Sequence, residues 1–426
     1  MKDLTGKKLL ILGGIPLSNE VIKYAKQLNL DVYVTDYLED SPAKKNADKS
    51  FMTSTTDVEA VVKLIKQERV DGTITGFVDL LLPYYHDICM QSGLPCYATK
   101  DQFEKLIDKV TFKQLCRDFG IPVVEEYKID DISDINTINN LPYPVLLKPA
   151  DNSGGRGITI CKTSDEFIDN YNKSISFSKS KQVVVEKYMN TKEVTIFYVL
   201  QDGDIKLTAM GDRHIQHFKE GVIPLPVAYT FPSIYLEEYE KTIHPKVVDM
   251  FTSLGMKNGM VFIQSFVEDG KCIFYEMGYR LTGSLEYKII EHASGYNPLT
   301  MMIEHAVTGK TNVDLEKLAN PHFDNKYCNI TFLVKPGKIK AIEGLEEIKK
   351  MHNVLDIFPS YKDGDEIPES ALGTLKQVVA RVFAYASSNE ELSRVMDEVH
   401  TKLKVTSTEG ENMLLPHFNT ANIEEI

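Results

Sequence analysis

The chain has 426 residues, 43% of them hydrophobic and 26% charged, and a formal net charge of −13. That length supports two or three domains with cores of their own, and an acidic balance spread along the chain argues against nucleic acid as a partner while allowing a local basic pocket. No apolar run reaches the roughly 18 residues of a membrane span, the start is too polar for a secretory signal, and six scattered cysteines without a CxxC pair suit a reducing cytoplasm better than a disulfide framework or a thiolate metal site.

Residues 8–12 read as a buried strand ending at Gly13-Gly14, residues 19–28 as an amphipathic helix, and residues 31–36 as a second strand with an acidic end at Asp36. A helix over 58–67 and a strand over 72–75 continue the alternation, which predicts a small open parallel sheet covered by helices over the first hundred residues. Gly13-Gly14 followed by Asp36 invites a dinucleotide reading, but the GxGxxG spacing is missing, so an NAD-dependent oxidoreductase is disfavoured. His86 and Asp79 flank an apolar segment and read as packed or solvated side chains.

Residues 101–120 have the periodicity of one helix, stopped by Gly120 and Pro122. Lys105, Lys109 and Lys113 recur every four residues and share one positive face, which a solvated stripe explains as well as an anion site does. Polar connecting sequence over 129–140 leads to the central stretch, where a short strand delivers Lys148, a turn containing Ser153, Gly154, Gly155, Arg156 and Gly157 follows, and the strand 158–160 resumes. Glycines that let backbone N–H groups approach an anion, beside fixed cations, suit a polyphosphate; an ordinary Gly-rich hairpin is the alternative.

A helix over 165–171 precedes the strand 182–189, whose end at Glu186, Lys187, Tyr188 and Met189 offers an apolar slot with polar partners at its edge, or simply core. Residues 193–200 and 204–207 flank Gln201-Asp202-Gly203 as a hairpin, so antiparallel pairing replaces the parallel pattern. Residues 210–232, punctuated by Pro224, Pro226 and Pro232, read as a long loop on the substrate side in which Arg213 clamps a carboxylate or makes a structural salt bridge. Two strands joined by Glu268-Asp269-Gly270 set Gln264 beside Glu276. Glu276 suits a hard cation carrying phosphate oxygens, with Arg280 steadying a transferred phosphoryl group; a plain Glu276–Arg280 salt bridge is the alternative. Helices over 283–290 and 298–307 follow, then strands at 329–334 and 339–342 and a helix over 391–400, as a small α+β cap.

Taken in order, the glycine loop, the Glu-Lys-Tyr-Met strand end and Glu-Met-Gly-Tyr-Arg at 276–280 resemble the ATP-grasp superfamily, most closely its carboxylate–amine ligases of the amino-acid ligase and carbamoyl-phosphate-synthase-like kind. The resemblance implies a mixed α/β and α+β architecture. Its parts are an N-terminal Rossmann-like parallel domain (1–104), a two-lobed ATP-grasp core (105–310) with a mobile lid over about 125–190, and a C-terminal α+β lobe (311–426). It implies ATP and Mg²⁺, small carboxylate and amine substrates and an acyl-phosphate intermediate, and it allows a homodimer. By the same resemblance Lys109 and Lys148 contact phosphate, residues 153–157 close over it, Glu186 to Met189 surround adenine and Glu193 meets the ribose. Glu276 is then the principal metal ligand and Arg280 the stabiliser of the acyl phosphate.

Two departures stand out. The family's second metal carboxylate falls at Gln264, which brings an oxygen but no charge, and its asparagine falls at Gly278. Either a nearby acid such as Glu268 or Glu286 compensates, or metal occupancy is weaker and activity is specialised or lost; a regulatory ATP binder of the same fold is the alternative function.

Overall fold

A computed structural model describes residues 3–150, 157–218, 223–311 and 313–423. Strand–helix alternation at the start produces what it predicts. Strands β1 (Lys8–Leu12), β2 (Asp31–Thr35), β3 (Lys49–Phe51) and β4 (Gly72–Ile74) pair in parallel in the order β3-β2-β1-β4, with helices α1 (Ser18–Gln27), α2 (Val58–Glu68) and α3 (Leu82–Ser92) packed around them. Both central strands are buried on two faces, which is why they read as apolar runs without alternation.

The single helix expected over 101–120 is in fact two, α4 (Lys100–Ile107) and α5 (Lys109–Asp118). Asp108 takes an extended conformation between them, and its carboxylate caps α5 by accepting from the Thr111 N–H at 2.8 Å. A local cap thus overrides a continuous apolar period. The lysine stripe is broken with it: Lys105 stays at the surface, paired with Asp101, while Lys113 is fully buried.

A short helix α6 (Ile135–Asn139) lies within the stretch expected to be connecting sequence. It joins strands β5 (Val145–Pro149) and β6 (Thr159–Cys161), helix α7 (Phe167–Ser176) and strand β7 (Val183–Lys187) in a lobe with an antiparallel sheet ordered β6-β5-β7. Ile138, Val145, Leu147, Cys161, Phe167 and Val185 give this lobe a small core of its own.

From residue 192 the chain builds one large antiparallel sheet. Strands β8 (Lys192–Gln201), β9 (Asp204–Gln216) and β10 (Leu225–Phe231) are followed by helices α8 (Leu236–Thr242) and α9 (His244–Ser253). Then come strands β11 (Gly259–Glu268) and β12 (Lys271–Gly278) and helices α10 (Tyr287–Ser294) and α11 (Pro298–Thr308). Strands β13 (Lys326–Leu333), β14 (Gly337–Glu343), β15 (Val354–Pro359), β16 (Glu366–Ile367), β17 (Val378–Ala386) and β18 (Lys404–Ser407) complete the set. The eight-stranded order is β12-β11-β8-β9-β10-β13-β17-β15; β16-β14-β18 form a separate small sheet. The boundary expected near residue 310 therefore falls inside one continuous sheet.

The loop expected over 210–232 is corrected here: most of it is the second half of β9 and all of β10. Every residue of β10 is buried, so no polar alternation marks it, and Pro226 sits at a register irregularity, where a missing N–H interrupts nothing. Strand β17 gave no expectation at all, for the same reason.

The helix Asn389–Lys402 covers the C-terminal strands and ends with His400 stacked on His417 at 3.9 Å between ring centroids; both His400 ring nitrogens are buried without a hydrogen-bond partner. Burial, helped by His417, pulls its pKa down to about 3. The folded value lies below the unfolded one, so this contribution to stability is intact above about pH 6.5 and is lost as pH falls from there toward 3. Denaturant titrations at pH 7 and pH 5 should accordingly show a smaller acid loss in His400→Phe than in the wild type, by about 1–2 kcal/mol; equal losses would mean His400 is not neutral in the fold.

Candidate active site

Glu186 lies in β7 at 1% exposure, and its carboxylate is shared by two lysines from different elements. Lys148, on the neighbouring strand β5, reaches it at 2.6 Å; Lys113, from α5, forms a shorter contact to the same oxygen and a second one of 3.1 Å to Glu126. Burial works to raise the Glu186 pKa, but Lys148 and Lys113 outweigh it and hold the carboxyl below its usual range. Burial, together with the charge of Lys148, pulls Lys113 down. Both directions follow from two cations sharing one buried anion.

The side chain of Glu186 is thus turned to these two lysines. Lys113, read from sequence only as part of a surface stripe, is the residue that closes the cluster; the signal available was its four-residue spacing from Lys109. Lys109 itself is buried at the first position of α5. Lys187 pairs with Glu268 at 3.0 Å, Tyr188 is half-buried and Met189 is buried. Ser153, Gly154, Gly155 and Arg156 lie outside the described residues. Gly157 is described: its φ is +79°, and a Cβ there would meet Phe177 at 2.7 Å and Pro149 at 2.9 Å, so only glycine fits as the chain re-enters β6.

On the large sheet, Gln264 of β11 stands directly opposite Glu276 of β12, as the turn predicted. Among the described residues the Glu276 carboxylate makes no hydrogen bond or ion pair, and no group of three His, Cys, Asp or Glu converges anywhere as a metal cluster. One free carboxylate beside an amide oxygen fits a Mg²⁺ that takes its remaining oxygens from phosphate and water, and does not fit an all-protein cage. Of the suggested compensating acids, Glu268 is paired with Lys187, and Glu286 accepts from the Thr282 hydroxyl at 2.5 Å through Oε2 alone.

Arg280 does not pair with Glu276. Its Nε donates to Asp79 at 2.6 Å, Nη2 makes a second, shorter bond to the same carboxylate, and Nη1 donates to the Leu281 carbonyl at 2.7 Å. Its guanidinium also lies 5.0 Å from the centroid of Phe262. Burial works to lower its pKa, but Asp79 and then Glu276 outweigh that and raise it. Phe262 explains Gly278 as well. The two are cross-strand partners, and a Cβ at 278 would approach the Phe262 ring to 2.3 Å, so the ring occupies the volume of the family's asparagine.

Arg213 and Glu193 are partners of each other. They face across β8 and β9 and form a short ion pair, while Tyr275 donates to the same Glu193 carboxylate at 3.0 Å. Of the two readings of Arg213, the structure contains the salt bridge, and Glu193 is its partner. Asp36, the dinucleotide candidate, is likewise engaged: it accepts from the N–H groups of Gly14 at 2.7 Å and Leu38 at 2.8 Å.

The family model for the carbamoyl-phosphate synthase L chain, ATP binding domain, matches residues 108–312. The 2-oxoglutarate carboxylase small subunit of Hydrogenobacter thermophilus is 24% identical over 322 residues, 70% of this chain and 66% of that protein. The formate-dependent phosphoribosylglycinamide formyltransferase of Sulfurisphaera tokodaii is 24% identical over 255 residues, 57% of this chain and 59% of that protein. The chain thus spans less than two-thirds of the length of these curated relatives. Among solved structures, the biotin carboxylase domain of the Hydrogenobacter 2-oxoglutarate carboxylase, crystallised as a dimer with MgADP, ADP and bicarbonate, aligns with a TM-score of 0.77 at 18% identity over 96% of this chain and 91% of its own. L-amino acid ligase from Bacillus licheniformis aligns at 0.75 and 18% identity over 95% and 99%. The family-model match to that ATP-binding domain covers just under half of the chain, and the alignments to solved structures show that the chain shares their fold.

Two substitutions probe this geometry. Glu186→Gln leaves two buried ammonium groups without their counter-ion and should destabilise the protein by about 3–5 kcal/mol, more than Lys113→Met does; denaturant midpoints decide. Gly278→Asn should cost about 1–3 kcal/mol by overpacking, and Phe262→Ala in the same chain should recover part of it. Strict additivity of the two would show that Phe262 does not fill the space at 278.

Proposed function

We propose that the protein is an ATP-dependent ligase that joins a carboxylate to an amine through an acyl phosphate, releasing ADP and phosphate. The observation that carries this reading is the placement of two buried lysines around Glu186, beside the start of the glycine stretch, together with Glu276, which has no hydrogen bond or ion pair among the described residues and faces Gln264 on the large sheet. A net positive buried cluster favours an anion of high charge density, and the free carboxylate favours a cation bound along with it. The solved MgADP complex of the similar biotin carboxylase domain supports ATP and Mg²⁺ as the pair.

In this reading Lys148 and Lys113, with Lys109 at the start of α5, hold the phosphates, the stretch from Ser153 to Gly157 covers them, and the segment from Glu186 to Met189 lines the base. Glu276 and the carbonyl oxygen of Gln264 hold Mg²⁺, which when bound neutralises charge on the transferred phosphoryl group. Arg280, fixed by Asp79 and Phe262, presents positive charge within electrostatic reach of Glu276. The substrate carboxylate attacks the terminal phosphorus and ADP leaves; the amine then attacks the acyl carbon and phosphate leaves. The chain's contribution is alignment, fixed charge and exclusion of water from the intermediate. We place the reaction in a homodimer, by analogy with the dimeric biotin carboxylase domain.

A regulatory ATP binder is the second reading, favoured by the single carboxylate at the metal position. ADP release should be measured with ATP and Mg²⁺ against a matrix of small carboxylates and amino acids, with mass detection of new amides. A pair-dependent signal that Glu276→Gln reduces at least a hundredfold, and that Gln264→Glu shifts to lower Mg²⁺ concentration, supports the ligase. ATP binding without turnover across the matrix supports the regulator.

A further inference from the structure

The large sheet carries a second polar assembly beyond Arg280. Glu193, Arg213, Tyr229 and Asn329 face one another in turn across β8, β9, β10 and β13, and Thr331, two residues past Asn329 on the same face, stands opposite Arg381 of β17. The chain leaving β12 crosses this face: the Ser284 carbonyl accepts from the Asn329 amide at 2.8 Å, and Glu286 follows at the entry to α10.

Three side chains of this region, Arg381, Glu286 and Asn329, are each at least nine-tenths buried. Arg381 is 4% exposed, and among the described residues its only hydrogen bond is the one it donates to the Thr331 hydroxyl at 2.7 Å; no carboxylate pairs with it. Glu286 is 1% exposed, and among the described residues its Oε1 has no partner, Thr282 occupying only Oε2. Asn329 is fully buried, and among the described residues its Oδ1 has no partner. Burial lowers the Arg381 pKa, with Arg213 adding to the fall and Tyr229 and Glu286 opposing it, so Arg381 and Glu286 feel each other without forming an ion pair. A buried guanidinium lacking an anion, and two acceptors lacking donors, are each costly unless something closes them.

We infer that Arg381, Glu286 and Asn329 form a subsite for the zwitterionic end of an amino acid, the guanidinium taking the α-carboxylate and Glu286 Oε1 and Asn329 Oδ1 taking the α-ammonium. A zwitterion is the simple chemical group that satisfies an unpaired cation and unpaired acceptors together while leaving the buried charge unchanged. A simple anion would leave the two acceptors open, and a simple amine would leave the guanidinium open. The inference rests on the ligase reading for one consequence: with both α-groups held here, the reacting carboxylate or amine is on the side chain.

The test is calorimetric titration of the full chain, with and without ATP, using L-glutamate, L-aspartate, L-lysine and L-ornithine, each beside its α-N-acetyl and α-carboxamide forms. At least one free amino acid should bind, and capping either α-group should weaken it at least tenfold. Arg381→Met should abolish that binding with a melting temperature equal to or above the wild type, because it removes a buried cation that has no protein counter-ion, whereas a structural arginine would leave the variant melting earlier. Glu286→Gln should reduce the discrimination between free and N-acetylated forms while sparing that against the amide. Equal binding of capped and free forms, no binding by any of the four, or undiminished binding by Arg381→Met overturns the subsite. ATP binding in the same titrations reports separately on the ligase reading: its absence defeats that reading, whereas its presence without amino-acid binding defeats only the subsite.

Discussion

The shared carboxylate of Glu186 is the constraint on which the arrangement depends. Lys148 comes from the three-stranded lobe and Lys113 from a helix outside it, so the lobe and the rest of the chain are joined electrostatically at a point sealed from water. A single carboxylate cannot neutralise two ammonium groups, and Glu126 reaches only Lys113 while it also serves Arg117. The excess is positive and buried, and a fold keeps such an excess only where a further anion belongs or where removing it would leave Glu186 alone. The cap at Asp108 belongs to the same design. It restarts the helix so that Lys113, instead of pointing along the face of Lys105, turns inward.

A second fixed element lies at the exit of β12. Arg280 is aligned by Asp79, from the parallel N-terminal domain, and by the face of Phe262 on β11. The arginine's position is therefore set by residues distant in sequence, and the volume that Phe262 takes up is the reason residue 278 carries no side chain. The replacement of an asparagine by glycine is then not a local loss. It exchanges one polar side chain near the metal position for an aromatic surface under the guanidinium, moving the local emphasis from coordination to cation positioning. Gln264 fits the same trend, since it keeps the oxygen and gives up the charge.

How much of this was legible follows from what each element depends on. The parallel domain and the β11–β12 hairpin were readable, because their signals are local: strand–helix alternation in one case and a Glu-Asp-Gly turn in the other, which placed Gln264 against Glu276 in the correct register. Lys148 and Glu186 were singled out as residues, but their mutual pairing was not, since it needs β5 and β7 side by side. Strands β10 and β17 were invisible because all, or nearly all, of their residues are buried, which erases the period of two on which strand reading relies. Arg213 and Glu193 were each given a ligand separately; only the β8–β9 register shows that they satisfy each other.

That last pair also separates the two halves of the polar face. On one side lie groups whose charges the chain balances itself: Arg213 with Glu193 and Arg280 with Asp79. On the other, around Arg381, the chain leaves a cation and two acceptors open although all three are buried. Arg213, Arg280 and Arg381 are all largely withdrawn from water and bear the cost of burying charge, so burial alone does not account for the difference. Glu286 did not lack the reach to bond, since it bonds Thr282; Asn329 did not lack it either, since it bonds the Ser284 carbonyl. Each is held by one atom and left open at the other, which orients the group while keeping a bonding position available. Where a protein both fixes a buried polar group and withholds its last partner, the partner is best sought outside the chain.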